Sequence, residues 1–541
     1  MKGTVKAPMW VSRKTGRSAV ACTNGIIATS QPLAAQAGVS ILQRGGNAID
    51  AAIAAAATIA VVEPMSTGLG GDAFALIAPE GKTDRIRALN ASGRSGNKLT
   101  LKAIQERGMR KIPLLGGVPI TVPGALDGWC QILDRFGTME LSEVFQSAIN
   151  YAENGFPISE IIAHYWNLAV PKLERTTEAT DTFLVKGRAP AFGEIFKQPH
   201  MASSLKLIAE EGPAIFYEGA IGEKIAATVK KYGGFIELED LANHLGGATW
   251  EEPISTNYRD HAVFECGPNS QGIAALISLN ILENFELSQW GSVRTLQAQI
   301  ESVKLSYADL HQYVADPTRT AVPTQELLAK AYAMRRSSLI SFEKSLAIPM
   351  PGISSPGADT IYLAVVDRDL NAVSFINSLY YGFGSGIVAE DTGITLQNRG
   401  ALFSLDPDHP NVVAPHKRPF HTIIPGMMGK NGRVEIVFGI MGGDHQAQAH
   451  VQVLNNVIDF DFNVQEAVEA PRFNYSHTTG ITTLEEGFPL NTIPQLQKIG
   501  QQLEFISNRQ FGGGQLIAID HDAHTLLAGS DPRKDGCAIG Y

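Results

Sequence analysis

The fold and the chemistry of this chain depend on one stretch, Gly357-Ala358-Asp359-Thr360-Ile361-Tyr362-Leu363-Ala364-Val365-Val366-Asp367. A segment rich in glycine, proline and serine (residues 349–358) here meets an apolar run of high β propensity. The composition changes between Asp359 and Thr360. A cut at that bond would give Thr360 a free α-amine beside its hydroxyl, and such an amine can act as the base that activates a threonine nucleophile. Taken alone, the stretch favours a simpler interpretation, a linker followed by an ordinary strand.

Length and composition indicate a soluble globular protein. The 541 residues can bury a large core, either as one domain or as roughly two to four smaller ones. The hydrophobic fraction is 44% and the charged fraction 18%, values typical of soluble proteins. The net charge of −10, which no Lys/Arg cluster offsets, argues against a nucleic-acid partner and against a basic membrane-binding face.

The cysteines and the apolar runs indicate the compartment. The four cysteines are far apart and form neither a CxxC pair nor a Cys/His zinc spacing; they are Cys22, Cys130, Cys266 and Cys537. They predict a reducing compartment, with no metal site. The first residues lead to no apolar signal region, and the longest apolar run, Ala48–Val62, contains Asp50 and is shorter than a membrane span. We therefore expect a cytoplasmic protein without a membrane partner.

Hydrophobic periodicity predicts mostly helices before residue 345 and a strand-rich remainder. The predicted helices are 32–45, 49–62, 142–153, 202–211, 220–231, 272–285, 295–312, 325–337, 445–458 and 490–502. The predicted strands lie in 19–30, 73–78, 361–367, 372–378, 434–440 and 515–519. This order favours an α+β layered fold over a regular βαβ series.

A glycine motif, Gly68-Leu69-Gly70-Gly71-Asp72-Ala73, matches the G-x-G-x-x-A pattern of dinucleotide-binding proteins. That pattern requires a strand before the glycines and a helix after them. The predicted order here is helix, glycine turn, strand. A tight turn is the better interpretation, and no NAD, FAD or other cofactor is predicted.

A glycine pair, Gly442-Gly443, follows the predicted strand 434–440 and precedes a predicted helix. Glycines at a strand end leave backbone N–H groups free and allow a substrate to approach closely. This is what an oxyanion hole requires, although structural strand-to-helix turns are common. His445 and His450 lack a nearby carboxylate cluster at metal-ligand spacing, which favours packed or surface histidines.

Three further segments admit either a functional or a structural interpretation. Arg94, in a flexible loop, could clamp a carboxylate or be solvated. Lys417-Arg418-Pro419 could be the same kind of clamp or a surface turn. The glycine turn 511–515 precedes a strand and suggests no chemistry.

Taken together, these segments resemble the γ-glutamyltranspeptidase family of N-terminal-nucleophile (Ntn) hydrolases, from about residue 18 to the end. Many segments match in the right order. They are 45–52, 62–71, 123–125, 216–219, 304–309, 383–387, 417–419, 442–443, 470–473 and 530–533.

The resemblance implies a four-layer αββα sandwich and a precursor that cuts itself at Asp359–Thr360. The products would be a large fragment, 1–359, and a small fragment, 360–541, which together form one domain. Thr360 would be the nucleophile, and Ser378 matches the position whose hydroxyl contacts it. Gly442 and Gly443 match the oxyanion-hole glycines.

The substrate pocket departs from the family pattern. The family arginine that holds the glutamyl carboxylate aligns with Ser92, two residues before Arg94. The aspartate that holds the ammonium aligns with Leu402, which cannot pair a buried charge. A family serine pair aligns with His421-Thr422, and a family asparagine aligns with Tyr380.

The resemblance therefore implies an amidohydrolase that retains the catalytic groups but has lost the γ-glutamyl pocket, as in oxamate amidohydrolase and cephalosporin acylases. Arg94, His421 and Arg399 would bind a carboxylate of a small amide substrate, with Thr422 and Tyr380 beside them. The alternatives are a γ-glutamyltransferase or glutathione hydrolase, a non-catalytic relative, and, more remotely, a dinucleotide-binding enzyme. The expected partners are the small amide, the two fragments of the chain itself and further copies in a homo-oligomer.

Overall fold

The computed structural model of the protein describes residues 16–346, 359–505 and 511–541. The predicted linker 349–358 lies outside the described residues. The strands, in chain order, are β1 Val20–Cys22, β2 Gly25–Thr29, β3 Asp72–Ala78, β4 Arg87–Ala91, β5 Phe156–Pro157, β6 Ile195–Phe196, β7 Thr249–Glu251, β8 Ile254–Tyr258, β9 His261–Glu265, β10 Asp359–Asp367, β11 Ala372–Tyr380, β12 Ile387–Val388, β13 Thr395–Leu396, β14 Gly426–Lys430, β15 Arg433–Ile440, β16 Phe473–Tyr475, β17 Thr482–Leu484, β18 Leu503–Phe505, β19 Gly514–Asp520, β20 Thr525–Ser530 and β21 Cys537–Gly540.

The helices cover much of the large predicted fragment. In chain order they are α1 Pro32–Gln43, α2 Ala48–Val62, α3 Leu101–Glu106, α4 Ala125–Phe136, α5 Leu141–Val144, α6 Gln146–Asn154, α7 Glu160–Leu173, α8 Thr177–Phe183, α9 Pro199–Glu211, α10 Ala214–Tyr217, α11 Ala220–Lys231, α12 Leu238–Ala242, α13 Gly272–Leu282, α14 Val293–Tyr313, α15 Thr324–Leu327, α16 Lys330–Ser337, α17 His445–Ile458, α18 Val464–Glu469 and α19 Thr492–Lys498. Short 3-10 turns lie at Pro79–Gly81, Thr83–Arg85 and Arg399–Leu402.

Two seven-stranded antiparallel sheets form the centre of the molecule. One has the strand order β21-β2-β10-β11-β3-β4-β7, and the other has the order β1-β20-β19-β15-β14-β9-β8. Helices α1 and α2 pack on the outer face of the first sheet. Helices α13, α14 and α17 share an apolar core with the outer face of the second sheet. The molecule is therefore an α+β protein with an αββα sandwich, as predicted.

Side chains of β10 alternate between two cores, as the period of a strand requires. Ile361, Leu363 and Val365 pack towards the helices. Tyr362 and Ala364 pack between the two sheets. By the same alternation Thr360, which is 1% exposed, lies on the side facing the space between the sheets.

The alanine-rich helix α2 is buried along its whole length. Asn47 caps its first turn, and the Asp50 carboxylate accepts a hydrogen bond from the Asn47 N–H, at 2.9 Å. The same carboxylate accepts the N–H groups of Thr138 and Met139, at 2.9 and 3.1 Å. These bonds explain how a charged residue fits into the longest apolar run of the chain.

Several predicted elements differ from the structure in detail. The predicted strand region 19–30 contains two strands in different sheets, β1 and β2. The predicted helices 142–153 and 325–337 are each divided into two, because turns interrupt them. Sequence periodicity also missed α4 and α7, whose stretches contain glycine or proline. In the part of the chain that the structure describes, no helix has the length and apolarity needed to cross a membrane.

Candidate active site

Thr360 and Ser378 lie on neighbouring strands, near the start of β10 and the end of β11. Their hydroxyl oxygens are 3.1 Å apart, and both side chains are buried. The N–H of Tyr380 donates to Ser378 Oγ at 2.8 Å, and Arg399 Nη2 donates to it at 3.1 Å. Because these two donors occupy the serine oxygen, the Ser378 hydroxyl proton is directed away from them. Thr360 Oγ1 is close enough to accept it. The two hydroxyls that the sequence placed at the predicted reaction centre are thus in contact.

Arg399 brings a buried positive charge to this pair of hydroxyls. Its Nη1 donates to Thr422 Oγ1 at 2.7 Å, and its guanidinium lies 4.4 Å from the centre of the Tyr380 ring. Within the described residues no carboxylate lies at ion-pair distance from it, and its Nε has no acceptor. Burial lowers its pKa to about 10, against the fields of Asp72 and other acidic groups, so the group stays charged at neutral pH. The structure therefore gathers four other predicted site residues, Thr360, Ser378, Tyr380 and Thr422, around a buried cation that no described carboxylate contacts.

Asp72 and His421 form a buried pair behind this centre. His421 Nε2 lies 3.0 Å from an Asp72 oxygen, and the other Asp72 oxygen accepts the N–H of Gly93 at 2.8 Å. The N–H of Ile423 donates to His421 Nδ1 at 3.3 Å, so Nε2 carries the ring proton and donates to Asp72. Burial lowers the pKa of His421 well below its usual value and raises that of Asp72 to about 7. Both ring nitrogens are occupied, and the predicted role of His421 as a direct substrate ligand does not fit this geometry.

The glycine pair forms an open turn between β15 and α17. Gly442 has φ 133° and Gly443 has φ 59°, a backbone region that favours glycine. Among the described residues, neither glycine N–H has an acceptor. Two free N–H groups in a turn of this kind suit a developing oxyanion, so the backbone is compatible with the predicted role.

The second glycine turn, 511–515, to which the sequence assigned no chemistry, supports the first. The N–H of Met441 donates to Gly513 O at 3.0 Å. A β-carbon at Gly512 would lie 1.8 Å from Met441 O, which only glycine avoids. The Asp531 carboxylate in turn accepts the Gly514 N–H at 2.9 Å. The turn thus fixes the start of the Gly442-Gly443 segment by close backbone contact.

The motif at 68–73 also proves to be a close-packed turn. A β-carbon at Gly71 would lie 2.4 Å from Ser378 O, and one at Gly70 would lie 2.0 Å from Thr395 O. The glycines therefore permit the turn to touch the backbone of Ser378 and of Thr395. Strand β3 follows directly, which is the order that argues against a dinucleotide site.

Gln271 and Tyr307 connect the two halves of the site, and sequence analysis missed them as functional candidates. The Gln271 amide nitrogen donates to the carbonyl of Thr422, and to that of Gly443 at 2.8 Å. The Tyr307 hydroxyl donates to the carbonyl of Asp444. One buried amide therefore sets the spacing between the partner of Arg399 and the glycine turn.

Replacing Gln271 by alanine is expected to lower kcat about 10- to 100-fold and to change KM less than about threefold, because one or two hydrogen bonds that align the site are lost. Steady-state kinetics on the best substrate measure this. The matched control is Gln299→Ala, which removes a buried glutamine that bonds Asn455 Oδ1 in the helical layer. Equal losses in the two variants would contradict a positioning role for Gln271.

Arg94 and Arg418 differ from each other in what they contact. Arg418 is buried and donates to the carbonyls of Ser92, at 2.9 Å, and Gly247, at 3.1 Å. Its guanidinium is occupied by backbone oxygens, so the substrate clamp and the surface turn that the sequence allowed were both wrong. Arg94 is half-buried, with Nη1 3.5 Å from Gly247 O, and within the described residues it makes no hydrogen bond to the Thr360 network.

The two histidines after the glycine pair are packed in the interior. His450 Nδ1 lies 2.7 Å from a Glu265 oxygen, and His450 Nε2 accepts the N–H of Ile440 at 3.3 Å. His445 lies edge-on to Phe511, with ring centres 5.7 Å apart. These contacts agree with packed histidines.

Glu63 is a buried acid that supports the end of β11. Its oxygens accept the hydroxyls of Ser30 and Ser66, at 2.8 and 2.7 Å. Ser66 O in turn accepts the Leu379 N–H at 3.1 Å. Burial raises the pKa of Glu63 to about 7, opposed by Lys534 and the two hydroxyls.

This pKa predicts a pH dependence of stability. Glu63 binds its proton more tightly in the folded protein than in the unfolded chain. Protonated Glu63 therefore contributes fully to folding stability below the ordinary glutamate pKa, and this contribution is lost as pH rises through about 7. Its size is at most about 3.5 kcal/mol. The thermal midpoint of Glu63→Gln should therefore fall less between pH 5 and pH 8 than that of the wild-type protein. Asp72 acts in the same direction, so part of the fall should remain. An unchanged slope in the variant would contradict the assignment.

A cleft of about 410 Å³ opens beside the site. Leu402, on the turn that carries Arg399, and Asp444, which follows the glycine pair, are two of its walls. The others are Arg110, Leu310, His311, Val314, Ser404, Leu405, Asp406, His409, Asn411 and Phe420. A ligand in the cleft would therefore lie next to both halves of the site.

An αββα sandwich with a threonine hydroxyl at the start of a central strand, a hydroxyl partner and an open glycine turn defines an Ntn hydrolase. The family model described as gamma-glutamyltranspeptidase matches residues 34–541. The chain belongs to the γ-glutamyltranspeptidase family and is an enzyme of the threonine-nucleophile class.

Similar proteins include several proenzymes. The glutathione hydrolase-like YwrD proenzyme of Bacillus subtilis is 40% identical over 96% of this chain and 98% of its own length. The oxamate amidohydrolase proenzyme of Klebsiella pneumoniae is 36% identical over 96% of this chain and 99% of its own length. The crystal structure of a cephalosporin acylase from Bacillus halodurans has a TM-score of 0.92 and 41% identity, covering 100% of this chain and 99% of that one.

Proposed function

We propose that the chain is a self-processing amidohydrolase that cuts its own Asp359–Thr360 bond. Its similarity to proenzymes supports a processed product. The cut would leave fragments 1–359 and 360–541 together in one sandwich and give Thr360 its α-amine. The four cysteines are free thiols, which supports the proposal of a cytoplasmic enzyme.

The proposed substrate is a small amide with a carboxylate bonded directly to the scissile carbonyl, as in oxamate. The observation that carries this proposal is the buried guanidinium of Arg399, which no carboxylate of the described residues approaches to ion-pair distance. A buried cation without a partner costs several kcal/mol, and a substrate carboxylate would remove that cost. The Ser378 hydroxyl contacts both Arg399 and Thr360, each at 3.1 Å, so a carboxylate bound by Arg399 would lie close to the attacked carbon. The oxamate amidohydrolase relative fits this chemistry.

The proposed reaction has two halves. Thr360 Oγ attacks the amide carbonyl while the α-amine of the same residue takes its proton, and the N–H groups of Gly442 and Gly443 hold the oxyanion. The C–N bond then breaks, and the proton passes from the α-ammonium to the departing nitrogen. Water attacks the resulting threonine ester, giving its proton to the α-amine, and the acid is released with Thr360 restored.

A second candidate is hydrolysis of γ-glutamyl amides such as glutathione. The observation that favours it is the 410 Å³ cleft beside the site, which has room for a group larger than oxamate. The YwrD relative is described as glutathione hydrolase-like. Leu402 opposes this candidate, because an apolar side chain cannot pair the glutamyl ammonium.

Parallel assays of processed protein on oxamate, a γ-glutamyl anilide and glutathione test the two candidates. Ammonia release from oxamate with a kcat/KM at least about tenfold above that for the γ-glutamyl anilide is expected. The reverse order would favour the second candidate. A processed protein with no activity on any of the three would overturn both.

A further inference from the structure

Asp444 presents to the cleft a carboxylate that has no hydrogen-bond or ion-pair partner among the described residues. It follows Gly443 directly, and its backbone carbonyl is held by Tyr307. Within the described residues its side chain accepts no hydrogen bond and makes no ion pair, although it is only partly exposed. Arg399 acts on it through space alone. A partly buried carboxylate that no described cation contacts suits a cationic ligand, because an ion pair would offset the cost of its burial.

The other charged groups of the cleft do not neutralise Asp444. Arg110 and Asp406 are exposed at its rim. His311 lies in the wall, and burial, together with His477 and His409, lowers its pKa to about 3, so it is neutral. Burial raises the pKa of Asp444 to about 6, so most of the carboxylate is ionised at neutral pH. The wall next to the glycine turn is therefore negative.

The shape of an amide suggests which part of the substrate lies against the Asp444 wall of the cleft, namely the amine portion. Three groups surround the attacked carbon. The oxygen faces the N–H groups of Gly442 and Gly443, and the acyl carboxylate faces Arg399, as proposed above. The third direction is left to the amide nitrogen, and the cleft that begins at Asp444 offers space for a substituent on it.

We propose that Asp444 forms an ammonium subsite that selects amides whose amine portion carries a positive charge. The inference rests on the proposed function and adds to it the substrate class: oxamic acids N-substituted by a short cationic amine. The cleft provides the space for this substituent. Asp444 would be a specificity-determining residue on the amine side.

Two matched substrates test the subsite, N-(2-aminoethyl)oxamate and the neutral N-propyloxamate. The wild-type enzyme should show a kcat/KM ratio of at least about tenfold in favour of the cationic amide, as expected for a partly buried charge pair. Asp444→Asn should bring the ratio to about one. Asp406→Asn, which removes an exposed acid at the rim of the same cleft, should keep the ratio above about fivefold. A ratio cancels any general loss of activity in a variant.

Intact mass first shows whether each variant has been processed. If Asp444→Asn is not processed, the wild-type ratio at low and at high salt is the remaining test, and it should fall as salt screens the pair. A wild-type ratio near one, or oxamate hydrolysis without hydrolysis of either N-substituted amide, would overturn the subsite and leave the proposed function intact. Absence of hydrolysis of all three oxamates would overturn both.

Discussion

Thr360→Ala should purify as one uncut chain of 58.1 kDa with no amidase activity above background. Alanine has no hydroxyl to start the self-cleavage, and without cleavage no α-amine exists to act as base. A loss of at least about 10⁴-fold is expected, as for the removal of other catalytic nucleophiles. Intact mass and N-terminal sequencing measure the processing, and ammonia release measures the activity.

Thr360→Ser is the matched control, since it keeps a hydroxyl at the same place. It should yield a small fragment that begins with the introduced serine, followed by Ile361 and Tyr362, and it should retain measurable activity. A wild-type chain that stays whole yet hydrolyses amides would contradict the threonine mechanism. So would cleavage of the Thr360→Ala chain at 359–360.

Arg399→Met should lower kcat/KM on oxamate about 10²- to 10³-fold, mainly through KM, because it removes the proposed carboxylate ligand from a buried site. Arg399→Lys should recover only part of the loss, since lysine cannot form the two-pronged contact. Steady-state kinetics over a wide range of oxamate concentration separate the two effects.

Arg94→Ala provides the comparison within the same protein. Arg94 contacts the Gly247 carbonyl at 3.5 Å and no residue of the Thr360 network among the described residues, so its loss should cost less than about tenfold. A larger effect for Arg94 than for Arg399 would indicate that Arg94 binds the substrate carboxylate. Arg94 is the arginine that the sequence placed nearest to the family position.

Local patterns predicted an α+β layered fold, whereas the αββα sandwich and the predicted roles of Thr360 and Ser378 came from the family resemblance. Alternating apolar residues mark β10 and β11, and the antiparallel pairing of these strands brings Thr360 next to Ser378, at a register irregularity between Asp359 and Ile361. The switch of composition at Asp359, together with the family resemblance, gave the position of the proposed cut. Its outcome stays a prediction, because the linker lies outside the described residues.

The surroundings of the hydroxyls could not be predicted in the same way. Asp72 and His421 are 349 positions apart in the chain, and Gln271 meets Gly443 across 172 positions. Such contacts follow from the packing of the layers and leave no short-range signal. Arg399 had only a minor role in the sequence analysis because burial without an acidic partner, the property that singles it out, is visible only in the structure.

The strand order of the first sheet has a consequence for what the proposed cut does to the protein. Strands β10 and β11 lie between β2 and β3, so the two pieces alternate within one hydrogen-bonded ladder and cannot separate unless the sheet opens. After thermal unfolding, however, the cut enzyme would have to refold from two separate fragments. These fragments must first meet in solution, whereas in an uncut chain the linker holds them together. Processing would thereby turn a reversible fold into one protected only by its slow unfolding. Recovery after heating should then depend on protein concentration for the cut enzyme and be independent of it for the uncut Thr360→Ala chain.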